Sequence, residues 1–107
     1  MKEAAHMTLW CKREDRAFKF TAKVGIPRQI DTELWESEWS LGELLVHQGV
    51  PIKNMDSMLT LLTAIRFIGK FLEGRVLEGD EFYFDEALSE KVESIAELFD
   101  FTSNTED

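Results

Sequence analysis

Cysteine is nearly absent from this sequence, which contains one, Cys11, in 107 residues. A single cysteine excludes an intramolecular disulfide and a secreted disulfide scaffold, and it favours a reducing cytoplasm. Histidine is also scarce, with only His6 and His47, so the ligand spacing of structural zinc sites is missing. The six glycines are scattered singly and form no phosphate-binding loop. We therefore expect no metal and no other cofactor.

A catalytic role for Cys11 is disfavoured by its surroundings. Lys12 and Arg13 follow it and could lower the pKa of its thiol. The sequence marks no partner histidine for such catalysis. His6 falls on the opposite face of the same predicted strand, and His47 could approach across the sheet only as many other residues could. The sequence therefore predicts a buried, inert cysteine and a protein that is not an enzyme.

No apolar run is long enough for a membrane span. In the most apolar stretch, Met58 to Ile65 is eight residues long before Arg66 intervenes, and Lys70 follows one turn later. A spanning helix needs about 20 apolar residues. The N-terminus carries a lysine but lacks the apolar run of about 7 to 15 residues that marks a signal peptide. We expect a cytoplasmic protein that does not bind membranes.

Positive charge is scarce toward the C-terminus. The chain has a net charge of −9, and residues 78–107 contain one basic side chain, Lys91, against eleven acidic ones. Residues 1–28, in contrast, have seven basic and three acidic side chains. The acidic surface repels phosphates, so nucleic-acid binding is not expected. It attracts a basic protein, although it can also serve only to keep a small protein soluble.

Alternation of apolar and polar residues predicts strands in the first half of the chain. Residues 6–13 and 17–24 alternate and are joined by a short polar connection, which predicts an antiparallel hairpin. Residues 34–41 alternate again, and Gly42 is placed to turn the chain into a further strand at 44–50. Two consecutive hairpins would form a four-stranded antiparallel sheet.

The stretch 54–74 is predicted to form one long helix. Asp56 or Ser57 can cap its N-terminus through a side-chain oxygen, and Gly74 is placed to end it in the left-handed conformation. Its polar side chains occupy one narrow edge. We expect its wide apolar surface to build the core, with a dimer or partner seam as the alternative.

The remainder of the chain predicts a short strand and a second helix. Residues 81–85 are a strand candidate, and joining the main sheet as a fifth strand is left open. Residues 85–99 predict an amphipathic helix with Asp85 as its N-cap. The resulting fold class is α+β, with a four- to five-stranded antiparallel sheet packed against one long buried helix and a C-terminal amphipathic helix. Residues 1–101 form the single domain and residues 102–107 a frayed tail.

The chain resembles a family of small bacterial proteins that are known as a domain of unknown function. The resemblance covers roughly residues 20 to 73, and its matching positions are Gly25, Ile26, Pro27, Gly49, Val50, Asp56, Ser57, Ala64, Ile68, Gly69 and Leu72. The family's cysteine in the tryptophan strand is replaced by the sequence WESEW at 35–39. The resemblance implies a bacterial, cytosolic α+β domain and carries no catalytic residue. By analogy, small acidic proteins of this kind are often immunity or antitoxin proteins.

The favoured function is that of an acidic protein-binding protein, in its most specific form an immunity protein that neutralises a basic toxin nuclease. Nuclease active sites are basic because they bind phosphates, so an acidic inhibitor is attracted to them. Trp35 and Trp39 are candidate anchors, although the sequence does not decide between core and surface for them. The candidate partner-binding residues are Asp80, Glu81, Asp85, Glu86, Glu90, Glu93, Glu97, Trp35 and Trp39.

Two alternatives stay open at this point. The chain could be a homodimeric structural or regulatory protein that pairs through a sheet edge or through the long helix. It could also be a small-ligand-binding module with a pocket between helix and sheet. Three carboxylates spaced along the second predicted helix, Glu90, Glu93 and Glu97, could hold a cation, but a solvated acidic face is the more common outcome.

Overall fold

The N-terminal quarter of the chain forms a long antiparallel hairpin, as its alternation predicted. The computed structural model of the protein describes residues 1–47 and 49–100. Strand β1 (Glu3–Arg13) pairs with β2 (Arg16–Gly25), so that Leu9 lies opposite Phe20 and Cys11 opposite Phe18. Glu14 takes the left-handed conformation, with φ 58°, in the tight turn between them.

The other elements are short except for one helix. In chain order they are β3 (Arg28–Asp31), β4 (Leu34–Ser37), β5 (Trp39–Ser40), one turn of 3-10 helix (Gly42–Leu44), β6 (Ile52–Asn54), α1 (Ser57–Leu77), β7 (Glu81–Tyr83) and α2 (Ile95–Phe99). A main antiparallel sheet has the strand order β5-β2-β1-β7, and a second antiparallel sheet has the order β3-β4-β6. The α+β class is confirmed. The question of the strand candidate at 81–85 is settled, since β7 joins the main sheet beside β1.

The predicted second hairpin, 34–41 with 44–50, is wrong. Residues 34–40 are divided between the two sheets, because β4 pairs with β3 and β6 whereas β5 pairs with β2. The crossing is fixed at Glu38, whose carbonyl oxygen accepts a 2.7 Å hydrogen bond from the amide of Gly25. The 3-10 turn follows at Gly42, and none of the described residues of 44–50 forms a strand; Gln48 lies outside the described residues.

The long helix begins as predicted and ends later. Asp56 is its N-cap, and its carboxylate accepts a 2.7 Å hydrogen bond from the amide of Leu59. The helix does not stop at Gly74 but continues to Leu77. Gly79, with φ +113°, supplies the conformation that takes the chain away from the helix, so the glycine predicted to end the helix was the wrong one.

The predicted helix 85–99 is wrong over most of its length, since α2 covers only its last turn. The carboxylate of Asp85 accepts from the amides of Ser89 and Glu90, which closes a tight loop instead of capping a helix. The chain then returns along β7, where the amide of Val92 donates to the carbonyl of Phe82 at 2.8 Å. These backbone hydrogen bonds compete with helical ones and replace them.

The core lies between the inner face of the main sheet and one face of α1. Its buried side chains are Leu9, Cys11, Phe20, Ala22, Val24, Trp39, Leu41, Leu44, Ala64, Ile68, Leu72, Phe82, Val92 and Ile95. Phe20 and Phe82 meet edge to face with their ring centroids 5.6 Å apart. The expectation that α1 serves the core therefore holds for one side of the helix only.

The predicted domain, 1–101, and its frayed tail, 102–107, extend past the described residues, because residues 101–107 lie outside them. Within residues 1–47 and 49–100, no helix is both long enough and apolar enough to cross a membrane.

Candidate partner-binding cleft

A cleft of about 420 Å³ opens at the C-terminal end of α1. Its walls are the last turn of the helix, strand β7 and the segment 91–96. Phe82, Val92 and Ile95 are buried beneath it and form an apolar floor. We call this feature the acidic cleft because four carboxylates line it, those of Glu73, Asp80, Glu81 and Glu93, against one cation, Lys91.

Two large apolar side chains are exposed at the rim of the acidic cleft. Leu77 is 67% exposed, and Val76 beside it is also exposed. Both are in the part of α1 that lies beyond Gly74. Exposed apolar groups surrounded by charges are typical of surfaces that bind other proteins.

Asp80 lines the cleft, but two arginine side chains of the protein neutralise its charge. It is 3% exposed. Its Oδ1 accepts from Nε of Arg13 at 3.0 Å, and its Oδ2 accepts from Nη2 of Arg13 at 2.9 Å and from Nε of Arg75 at 3.0 Å. Burial alone would raise the pKa of Asp80, but the hydrogen bonds from the two arginines lower it overall. Asp80 therefore does not belong to the acidic surface on which the sequence placed it.

Glu81 is held in place by two neighbours. One carboxylate oxygen accepts a 2.8 Å hydrogen bond from the hydroxyl of Tyr83, and the other lies 3.8 Å from Nζ of Lys91. The hydrogen bond from Tyr83, together with the charge of Lys91, lowers the pKa of Glu81. The same hydrogen bond raises the pKa of Tyr83. Glu81 thus stays ionised and fixed in orientation.

Glu73 and Glu93 supply the negative charge that the protein does not neutralise. In residues 1–47 and 49–100, no salt bridge engages either of them. The C-terminal end of α1 adds to the field, since the carbonyl end of a helix carries about half an elementary negative charge. The acidic cleft can therefore attract and orient a cationic group.

The other acidic residues predicted as partner-binding do not line the cleft. Asp85 is engaged by the loop that it closes, and the hydroxyl of Ser89 and the amide of Glu90 lower its pKa. Glu86, Glu90 and Glu97 are exposed. Of the three carboxylates expected on one helical face, only Glu97 is in a helix. Among the described residues, no group of three His, Cys, Asp or Glu side chains is arranged to hold a metal ion.

The two tryptophans predicted as anchors are separated by the crossing at Glu38. Trp39 is buried, contacts the ring of Phe67 in a tilted arrangement with 4.9 Å between ring centroids, and donates its ring N–H to the carbonyl of Val50. Trp35 is half-buried in β4 of the second sheet. Neither lines the acidic cleft. Trp39 therefore serves the core, which answers the question that the sequence left open for it.

Cys11 is buried on the inner face of β1, as predicted. Burial raises the pKa of its thiol to about 11, and the negative charge of Asp80 adds to the shift. At neutral pH the thiol is therefore protonated and is a poor nucleophile.

An apolar cavity of about 320 Å³ between the sheet and the helix is the candidate site for the small-ligand alternative. Met7, Val24, Ile65 and Ile68 are among its lining residues. Its titratable lining groups are His6 and Asp100, and the ring of His6 is paired with Glu3. The convergent polar groups that fix a ligand's orientation are missing from the part of this cavity that the structure describes.

Sequence reasoning missed Val76 and Leu77 at the cleft rim and Glu73 in its wall. The helix was expected to end at Gly74, which would have placed both apolar residues in a loop. The available signal was Gly79, which follows the last apolar residues by two positions and suits a helix end equally well.

The chain is therefore a small α+β protein with an acidic cleft at the C-terminal end of its long helix. Exposed apolar side chains form the rim of this cleft. In comparisons with known proteins, no family model, no curated protein and no solved structure matches the chain.

Proposed function

We propose that the chain is a protein-binding protein that holds a basic segment of a partner in the acidic cleft. The observation that carries this proposal is the combination of uncompensated carboxylates at Glu73 and Glu93 with the exposed apolar pair Val76 and Leu77. Aliphatic contacts supply burial, and the carboxylates select a cationic partner and accelerate its approach.

The specific form that we propose is an immunity or antitoxin protein that blocks a basic toxin, such as a nuclease. A nuclease exposes lysines and arginines where it binds phosphates. The loop 85–94 and α2 add the exposed carboxylates of Glu86, Glu90 and Glu97 to the negative surface of the C-terminal third. A partner of that kind would meet one continuous acidic field with an apolar contact at its centre.

Two double variants of equal net charge test where on the surface the partner binds. Glu73→Gln with Glu93→Gln removes two charges inside the acidic cleft, and Glu86→Gln with Glu90→Gln removes two charges outside it. The tagged wild-type chain is first used to capture and identify its partner from a lysate of the cells that make it. The affinity of the purified pair is then measured by titration calorimetry.

We expect one basic protein to be retained at about 150 mM salt and weakened at about 500 mM, because the higher salt screens exposed charges. The cleft variant should lose about tenfold or more in affinity, equivalent to about 1.4 kcal/mol, and the outer variant should lose less. Equal losses would mean that only net charge matters, and recovery of the bait alone at both salts would contradict the proposed function.

A further inference from the structure

The outward side of α1 carries a second surface that the core does not use. The helix buries Thr60, Ala64, Ile68, Gly69 and Leu72. Four large apolar residues are exposed instead at the N-terminal end, three of them on the outward side of the helix and Met55 just before its N-cap. They are Met55, Met58, Leu59 and Leu62, with exposures that reach 71% at Met58 and 55% at Leu62.

These four residues, which we call the α1 patch, are continuous with a groove of about 440 Å³ along the helix. Leu59 and Leu62 line both features, and Phe67 lies at the groove's other side. Scattered exposed apolar residues are normal on a monomer, but a contiguous set on one helix face marks an interaction surface.

The charges beside the α1 patch are arranged to complement a second copy of themselves. Asp56 lies at its N-terminal end and Arg66 at its other end, ten residues further along. In the part of the chain that the structure describes, no salt bridge engages Arg66. If two copies of α1 pair antiparallel through their outward sides, about a two-fold axis at the height of Leu61 along the helix, each Asp56 lies opposite the partner's Arg66. A parallel arrangement would place like charges together.

The same antiparallel geometry keeps the most acidic parts of the two copies apart. Leu77, at the acidic cleft, is 16 residues from Leu61, which is about 24 Å along a helix. The two copies of Leu77 would then be roughly 48 Å apart, several times the Debye length of about 8 Å at physiological salt. Two chains of net charge −9 can therefore meet here without opposing their acidic ends.

We propose that the chain forms a symmetric homodimer through the α1 patch, with the two α1 helices antiparallel and Asp56 of each copy paired with the partner's Arg66. Met55, Leu59 and Leu62 of each copy cover those of the other around the axis. The interface leaves the acidic cleft of each copy open at opposite ends of the dimer. This proposal does not rest on the proposed function and stands or fails separately from it.

Oligomeric state is measured by analytical ultracentrifugation over about 1 µM to 1 mM, a range that spans weak to moderate dimers. The wild type should shift from monomer to dimer within it. Leu62→Glu should abolish the shift, and Leu77→Glu, at a leucine of the same helix that is more exposed, 67% against 55%, should leave it intact. Arg66→Glu should weaken the dimer and Arg66→Lys should retain it. Circular dichroism of each variant checks that the fold is kept.

Cross-linking tests the orientation, and the buried Cys11 leaves the introduced thiol as the reactive one. Under mild oxidation, Leu62→Cys should give a disulfide-linked dimer, because its sulfur lies near the axis, and Leu77→Cys should stay monomeric. Cross-linking of both variants would indicate parallel helices and overturn the arrangement. A monomer at every concentration would overturn the dimer itself, and the α1 patch would then belong to a different protein or a lipid surface.

Discussion

At the scale of single residues, the most consequential side chain in the molecule is that of Asp80. It joins the end of β1, the last turn of α1 and the start of β7 through three hydrogen bonds to arginine. Arg13 and Asp80 are 67 positions apart in sequence, so this contact exists only in the folded chain. The sequence identified Asp80 as acidic, but its role as the internal partner of two arginines could not be predicted, because pairing over such a distance depends on the sheet order.

Replacing Asp80 should therefore lower stability more than replacing any exposed acid. In Asp80→Asn the two arginines lose the charge that holds them together, and we expect a loss of about 3 kcal/mol in the free energy of unfolding. Glu78→Gln, an exposed change at the same end of α1, should stay within about 0.5 kcal/mol of the wild type. Urea denaturation at pH 7 measures both.

The effect of Asp80 should also depend on pH, in a direction set by its pKa. The folded-state pKa is lowered, so the ionised carboxylate stabilises the fold above the unfolded pKa of about 3.9. This contribution is lost as the pH falls through the folded-state value. The stability difference between wild type and Asp80→Asn should be full at pH 6 to 7 and shrink progressively below about pH 4. A difference that is constant down to pH 3 would show that the carboxylate's charge is not what matters.

At the scale of elements, the sequence correctly predicted those that depend on interactions between residues close together in the chain. The β1–β2 hairpin and the start of α1 at Asp56 fall in this group. Residues 34–41 fell outside it, because alternation assigns faces and not pairing partners. Ser37 and Trp39 are both buried, as one face of a strand would be, yet they lie in different sheets. The acidic cleft was predictable in its charge and not in its shape, since the shape depends on where α1 ends.

The segment 85–94 was predicted wrongly for a different reason. Its apolar residues have helical spacing, but hydrogen bonds within the loop and to β7 replace the helical ones. Asp85→Ala should release the loop, because the amides of Ser89 and Glu90 lose their acceptor. We expect faster hydrogen exchange at these two amides, with little change at the amides of α1. Glu86→Ala, its exposed neighbour, is the control and should leave exchange at both positions unchanged. Unaltered protection in Asp85→Ala would mean that the return along β7 holds the loop by itself.

At the scale of the whole molecule, charge is distributed unevenly over a fold built from two sheets, one long helix and one short one. The exposed carboxylates of the C-terminal third repel one another, and salt weakens that repulsion. Asp80 is buried, so salt screens its pairs with the half-buried Arg13 and Arg75 less than it screens exposed charges. Added salt should therefore stabilise this protein.

The melting temperature should rise between about 10 mM and 500 mM sodium chloride, which shortens the Debye length from about 30 Å to below 8 Å. The triple variant Glu90→Gln, Glu93→Gln, Glu97→Gln should show a smaller rise, because fewer like charges remain. The corresponding triple change to aspartate preserves the charge and should retain the wild-type dependence. Calorimetry at each sodium chloride concentration measures the melting temperature of the wild type and of both triple variants. A melting temperature that falls with salt would contradict the expectation.

Because β7 lies late in the sequence, the main sheet can close only late in the synthesis of these residues. The β1–β2 hairpin leaves the ribosome before α1 and β7, at a synthesis rate of about 5 to 20 residues per second. Its inner side chains, Leu9, Cys11 and Phe20, stay uncovered until α1 emerges. The open edge of β1 waits longer still, for residues 81–83. Residues 1–80 must therefore be made before the main sheet closes. A nascent chain that stalls before α1 exposes both an apolar sheet face and an unpaired strand to its neighbours, and one that stalls between α1 and β7 still exposes the unpaired edge of β1.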